Sequence, residues 1–271
     1  MGYNYLMIFD GKAFAEKIIA GLPHKKAKLA ILLNPDDAGS VKYVEIKKRI
    51  GEKLGVEFEI YNLKFEINFQ DLISKLNNDT EITGIMIQLP FPNSEKLINL
   101  IDPKKDVDGL REDSPFLPAA VLAVEKILTS PLIPLLNSGE GNKKGEVCVV
   151  GSKGFIGSKL VKLLTPKCQL LTPMDANDFD PEKIKLADIV ISATGQEGLV
   201  KDIKEGAVCI DLGFPKGDFA PELASKASFF TPVPGGVGPV TVACLFENLY
   251  GTIPLLHTSP DSPYKHRRRE D

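Results

Sequence analysis

The stretch Val147-Cys148-Val149-Val150-Gly151-Ser152-Lys153-Gly154-Phe155-Ile156-Gly157-Ser158 decides the fold of this chain. An apolar, β-branched run leads straight into three glycines at G-x-x-G-x-x-G spacing, and a helix-patterned segment follows over 158–164. A strand, a glycine turn and a helix start in that order present backbone N–H groups to a pyrophosphate, and the helix dipole favours the anion. The spacing departs from the commoner G-x-G-x-x-G, and tight strand–helix packing without any ligand is the competing explanation. Context favours the ligand. Four more strand-like runs, at 169–171, 189–193, 208–212 and 229–232, follow at intervals of roughly twenty residues, which leaves room for crossover helices. Two of them run into Ser192-Ala193-Thr194-Gly195 and Asp211-Leu212-Gly213, and ligands of open α/β sheets sit at such carboxyl ends. Gly151, Ser152, Lys153, Gly154, Gly157, Thr194 and Gly195 are therefore the candidate dinucleotide-binding residues.

The first half of the chain has the same α/β rhythm. Strands are expected at 29–33, 57–61 and 84–89, and an amphipathic helix at 41–54, with Val44, Ile46, Ile50 and Leu54 apolar and Gly55 as its stop. The polar, glycine-containing run 135–142 reads as an exposed connector. The expected architecture is thus α/β with two domains and mainly parallel sheets.

Composition narrows the chemistry. The 271 residues include 33 Lys+Arg against 36 Asp+Glu, for a net charge of -3, so no global charge argues for nucleic acid or an anionic membrane. The basic run Lys265-His266-Arg267-Arg268-Arg269 reads as a solvated tail. Only His24, His257 and His266 exist, which leaves no material for a histidine triad or a multi-histidine metal site, so no metal is expected. Acid–base work falls to Lys, Asp, Glu or Tyr. Cys148, Cys168, Cys209 and Cys244 show no C-x-x-C spacing and read as reduced structural thiols of a cytoplasmic protein. No leader-like or membrane-spanning apolar run is apparent.

Three further stretches carry chemistry. Tyr43-Val44-Glu45-Ile46-Lys47 puts a phenol and an amine one helical turn apart. Gly84-Ile85-Met86-Ile87-Gln88-Leu89-Pro90 ends an apolar strand on an amide, which is costly there unless it is hydrogen-bonded or faces a polar cleft. Lys105-Asp106-Val107-Asp108-Gly109 sets a carboxylate against a glycine turn, with an Asx-type turn as the plain reading. Together with Thr231-Pro232-Val233-Pro234-Gly235-Gly236-Val237-Gly238-Pro239-Val240-Thr241, in this order from Phe9-Asp10-Gly11-Lys12 to about Asn248, they resemble the bifunctional methylenetetrahydrofolate dehydrogenase/methenyltetrahydrofolate cyclohydrolase family.

The resemblance implies an N-terminal α/β folate-binding catalytic domain over 1–138, completed by a returning helix at about 239–256. It also implies a Rossmann-type nucleotide-binding domain over 139–238, a flexible tail over 257–271, a cleft between the domains and a homodimer. It implies that Lys47 is the central catalytic group, that Gln88 positions it, and that Asp108 holds the pterin ring. Tyr43 would stack on the folate, and Pro234, Gly235 and Gly236 would line it. The implied reactions oxidise 5,10-methylenetetrahydrofolate with NADP and hydrolyse the methenyl product to 10-formyltetrahydrofolate, within one-carbon metabolism and purine biosynthesis.

Three departures stand out. Pro115-Phe116-Leu117-Pro118 replaces a Pro-Cys-Thr-Pro with bulk, Gly151-Ser152-Lys153 replaces Gly-Arg-Ser, and Leu171-Thr172-Pro173-Met174-Asp175 replaces a Ser- and His-containing stretch. The last two remove common partners of a 2′-phosphate. Lys153 remains inside the loop to compensate, so NADP, which the resemblance implies, is the expected cofactor, with NAD, favoured by Asp175, as the alternative. Weaker dehydrogenase or weaker cyclohydrolase activity, and a catalytically silent folate- or nucleotide-binding protein, are the competing functions. Intact Lys47, Gln88 and Asp108 argue against loss of the hydrolytic step, and intact Lys47 and Gly235-Gly236 against the silent protein.

Overall fold

The computed structural model describes residues 6–62, 68–133 and 145–252; the expected connector at 135–142 and tail at 257–271 lie outside the described residues. The chain divides into two compact units, Met1–Ala20 with Pro118–Cys244, and Gly21–Leu117 with Leu245–Asp271. We call them the glycine-loop unit and the lysine unit.

The lysine unit is built on a three-stranded parallel sheet of order β3-β2-β4, with β2 at Ala27–Leu33, β3 at Val56–Asn62 and β4 at Gly84–Ile87. Leu29 to Leu32 of β2 are fully buried without alternation, as befits a central strand covered on both faces. Helix α2 (Ala38–Lys53) crosses from β2 to β3, and its N-cap Asp37 accepts the Ser40 N–H at 2.6 Å. That cap starts the helix three residues before the apolar periodicity suggests. The crossover from β3 to β4 carries α3 (Phe69–Asn78), capped by Asn68; after β4 comes the short α4 (Ser94–Ile98).

The glycine-loop unit holds a six-stranded parallel sheet of order β1-β9-β8-β7-β5-β6. Its strands are β1 (Met7–Ile8), β5 (Glu146–Val150), β6 (Leu170–Met174), β7 (Ile189–Ser192), β8 (Val208–Asp211) and β9 (Phe229–Phe230). Helices α1 (Gly11–Ala20), α5 (Ala119–Leu128), α6 (Phe155–Leu164) and α7 (Pro181–Ile184) belong to the same unit. The order reverses at β5, between β6 and β7, which is the switch point where such sheets bind ligands. Strand β6 runs to Met174, three residues beyond its expected end, and contains Pro173. A proline is tolerated there because β6 is an edge strand. Conversely, β9 stops at Phe230 and β4 at Ile87, each short of the apolar run that suggested it.

The last helix, α8 (Val237–Gly251), contributes to the glycine-loop unit up to Cys244 and to the lysine unit from Leu245. In the lysine unit, Tyr250 donates its hydroxyl to the Leu54 carbonyl at 2.6 Å, and the Asn248 amide donates to the carbonyls of Val107 and Leu117, each at 3.0 Å. The Phe58 and Phe246 rings meet edge to face over Gly51 of α2. No helix among the described residues is long and apolar enough to cross a membrane.

A Cβ on Gly51 would lie 2.4 Å from Cζ of Phe58 and 2.8 Å from the Phe246 ring. Gly→Ala in an unencumbered helix interior stabilises by about 1 kcal/mol. Here the sign is expected to reverse: Gly51→Ala should lower the unfolding free energy by about 1–3 kcal/mol in urea titration. An unchanged or raised midpoint would contradict this packing.

Candidate active site

Lys47 lies on the buried face of α2 with Ser40, Val44 and Gly51, and is 4% exposed. An amine so placed must find partners. Its Nζ donates to Oε1 of Gln88 at 2.8 Å, lies 3.8 Å from Sδ of Met86, and stands 4.9 Å from the centroid of the Tyr43 ring. The helix thus delivers Tyr43 and Lys47 together, as their spacing predicts.

Gln88 is the first residue past β4, and its backbone N–H donates to the Leu32 carbonyl at 2.8 Å, so the β2 pairing fixes where it stands. Its Nε2 donates to the Leu89 carbonyl at 2.9 Å, which leaves Oε1 turned to Lys47. The Ser40 hydroxyl donates to that same carbonyl at 3.1 Å, tying α2 to the strand end two turns before Lys47.

The two aspartates of 105–109 have different tasks. Asp106 is buried, its carboxylate accepts the Arg111 N–H at 2.8 Å, and its carbonyl accepts the Gly109 N–H at 3.1 Å. It builds the turn that the plain reading anticipates, and Gly109 supplies a φ of 68° there. Asp108 is electrostatically coupled to Lys47 and keeps part of its surface open. Burial pushes its carboxyl up to about 6, against the pull of the Lys47 charge and with help from Asp106. Burial likewise lowers Lys47 to about 8, against the opposing effect of Asp108. The Tyr43 phenol is pushed upward, first by burial and then by Asp108, so it stays protonated. With Lys47 lowered to about 8, about a tenth of it is neutral at pH 7. The amine can therefore both accept and donate a proton near neutrality.

The bulky Phe116 lies against Gly251, where a Cβ would come within 3.1 Å of its Cε1. Leu117 contributes its carbonyl to Asn248. The Phe116 ring of that bulky replacement thus packs against the end of the last helix.

In the glycine-loop unit, Gly151 has a φ of 82°, and a Cβ there would meet the Ala193 carbonyl oxygen at 2.8 Å. A Cβ on Gly157 would lie 1.9 Å from the Gly151 oxygen, so this glycine lets α6 begin directly over the loop. Gly154 is the N-cap of α6 and offers no side chain, which leaves the first-turn amides without a side-chain acceptor. That N-cap borders a cavity of about 340 Å³ lined by Gly151, Gly154, Asp175, Phe179, Thr194 and Leu199, among others. Ser152 is buried, and Lys153 donates its backbone N–H to Oδ2 of Asp175 at 2.8 Å.

Thr194 is fixed by a residue that the motifs do not flag. Buried Asp218 accepts the Thr194 N–H at 2.7 Å, the Thr194 hydroxyl at 2.8 Å and the Ser192 hydroxyl at 2.7 Å, all on Oδ2. Asp211 accepts the Gly213 and Asp218 N–H groups on Oδ1 at 2.8 and 3.1 Å. Gly195 follows with a φ of 66°. Pro234, Gly235 and Gly236 lie between β9 and α8 in this unit rather than in the lysine unit. Gly236 is required by close packing, since a Cβ there would meet the Pro232 oxygen at 2.6 Å. Gly235 has a φ of 107° and open space where a Cβ would stand.

Comparison with known proteins accords with both halves. The pattern of the tetrahydrofolate dehydrogenase/cyclohydrolase catalytic domain matches residues 9–108, and that of the corresponding NAD(P)-binding domain matches 129–255. The chain is 32% identical over 276 residues to the bifunctional protein FolD of Staphylococcus carnosus, covering 89% of this chain and 94% of that protein. The Campylobacter jejuni bifunctional enzyme FolD, a methylenetetrahydrofolate dehydrogenase/cyclohydrolase, superposes with a TM-score of 0.80 at 27% identity, covering 91% of this chain and 98% of that one. The Trypanosoma brucei methylenetetrahydrofolate dehydrogenase-cyclohydrolase, solved with NADP and an inhibitor, gives a TM-score of 0.80 at 26% identity, covering 91% of this chain and 96% of that one.

Removing the Asp108 charge takes away the group that opposes burial of the ammonium. In Asp108→Asn, the Lys47 resonance followed by NMR is therefore expected to titrate below its wild-type value of about 8. A value unchanged or raised would contradict the coupling.

Proposed function

The chain belongs to the tetrahydrofolate dehydrogenase/cyclohydrolase family, and we propose that Lys47, Gln88 and Asp108 carry its folate chemistry. The protein is a bifunctional enzyme that oxidises 5,10-methylenetetrahydrofolate to the methenyl form with a nicotinamide dinucleotide and hydrolyses that product to 10-formyltetrahydrofolate. The observation that carries the residue assignment is the buried Lys47 amine, lowered to about 8 and oriented by Gln88 at 2.8 Å.

In the hydrolytic step, neutral Lys47 takes a proton from the water that adds to the methenyl carbon. The resulting ammonium returns a proton to N5 as the C–N5 bond breaks, and the hydroxyl of the adduct loses its remaining proton to solvent as the formyl C=O forms on N10. Gln88 holds one N–H of Lys47 and so sets the direction of the exchange. The cationic methenyl substrate disfavours the ammonium further, which keeps the base available. Asp108, largely buried and raised to about 6, offers a carboxyl group to the polar edge of the pterin. Tyr43 presents its ring face to the aromatic portion of the folate.

The glycine-loop unit suits the dinucleotide. The amides at the start of α6 would hold the pyrophosphate, with Gly151, Gly154 and Gly157 allowing close approach, Ser152 and Lys153 within the loop, and Thr194 and Gly195 at the end of β7. When bound, the nicotinamide ring supplies the hydride acceptor. Pro234, Gly235 and Gly236 are assigned to folate contact, with the open side of Gly235 as the support. A homodimer belongs to the same reading, because β6 ends the sheet order and Leu170 on it is half-exposed.

Lys47→Met should keep the fold and lose methenyltetrahydrofolate hydrolysis by about 10²- to 10⁴-fold. Far-ultraviolet circular dichroism checks the fold and methenyl absorbance follows the rate. Hydrolysis at the wild-type rate in a folded variant would overturn the role of Lys47.

A further inference from the structure

Resting on the dinucleotide reading of the glycine-loop unit, we propose that Asp175 makes this enzyme prefer NAD over NADP by accepting the adenosine ribose hydroxyls and repelling a 2′-phosphate. In doubly wound sheets, the ribose next to adenine lies at the carboxyl end of the strand that follows the glycine-loop helix. Here that strand is β6, and Asp175 is the first residue after it. The sequence pattern ends the strand three residues earlier and leaves the aspartate in a loop; the longer β6 brings it to the ribose position.

The carboxylate is held in place. Oδ2 accepts the Lys153 N–H of the glycine loop at 2.8 Å, and Oδ1 accepts the Ala176 N–H at 2.9 Å. Each oxygen retains acceptor capacity for a hydroxyl. The same two backbone donors hold the Asp175 pKa below the ordinary carboxylate value, so it is ionised at neutral pH. Asp178 accepts the Asp175 backbone N–H, which brings a second acidic side chain to the same turn.

Charge around the cavity points the same way. Among the described residues lining it, Asp175 is the one charged side chain. No arginine occurs between Pro118 and Cys244 or in the first twenty residues, so the glycine-loop unit contains no guanidinium fork for a phosphate. Lys153 supplies a nearby positive charge, but its side chain is exposed and its field falls on Asp175. A ribose diol meets two oriented acceptors, whereas a 2′-phosphate meets the ionised Asp175 carboxylate.

Calorimetric titration of the purified full chain with NAD and, separately, NADP tests the assignment without relying on turnover. Wild-type protein is expected to bind NAD at least about tenfold more tightly, and the preference should fall by about 10- to 100-fold in both Asp175→Asn and Asp175→Ser, the range of one charge-assisted hydrogen bond. The parallel kcat/KM ratio with 5,10-methylenetetrahydrofolate should follow. Equal or tighter NADP binding by the wild type would overturn the proposal and leave the dinucleotide site standing, as would an unchanged preference in the folded Asn variant. Binding of neither dinucleotide would overturn both readings.

Discussion

The hydrogen bond from Lys47 to Gln88 is the constraint around which the lysine unit is arranged. Burying an amine costs free energy unless its donors are used and its charge is compensated. This fold meets the requirement with a strand-end amide, a thioether, an aromatic face and a nearby carboxylate. The Gln88 amide is itself fixed by Leu89, and Leu89 is fixed to α2 by Ser40. The helix that carries the amine and the strand that receives it are thereby locked in one register, and a base of moderate strength is obtained without histidine.

The glycine-loop unit solves a different problem, how to keep polar groups aimed outward from the ends of buried strands. Asp218 and Asp211 sit among the carboxyl ends of β7 and β8 and take up the N–H and hydroxyl groups of Ser192, Thr194, Gly213 and Phe219. Thr194 is consequently held by its backbone and side chain at once. The glycines at 151 and 157 complete the arrangement by bringing α6 onto the loop with its first amides uncapped.

Most of this was legible in the sequence where a pattern has a short-range physical cause. The β5–loop–α6 stretch announces itself through a β-branched run followed by glycines, and the Tyr43–Lys47 pair follows from helical periodicity. What escaped depends on contacts distant in sequence. Strand β1 has two residues and exists through its pairing with β9, more than two hundred positions away. Asp218 acquires its role because β7 and β8 are neighbours in the sheet, and nothing around Gly217-Asp218-Phe219 shows that. The extent of β6 was missed because Pro173 reads as a breaker, although an edge position accommodates it. The division of labour between Asp106 and Asp108 is likewise invisible in a motif that contains both.

The scarcity of histidine thus has a structural counterpart in a lysine whose surroundings, rather than its intrinsic chemistry, bring its proton affinity near neutrality. The pH dependence of kcat/KM for methenyltetrahydrofolate hydrolysis, corrected for the uncatalysed reaction between about pH 6 and about pH 9, reads that proton affinity in the working enzyme. The rate should climb with pH and level off near the Lys47 value of about 8. A profile that is flat or falls across this range would contradict a buried, neutral Lys47 as the base.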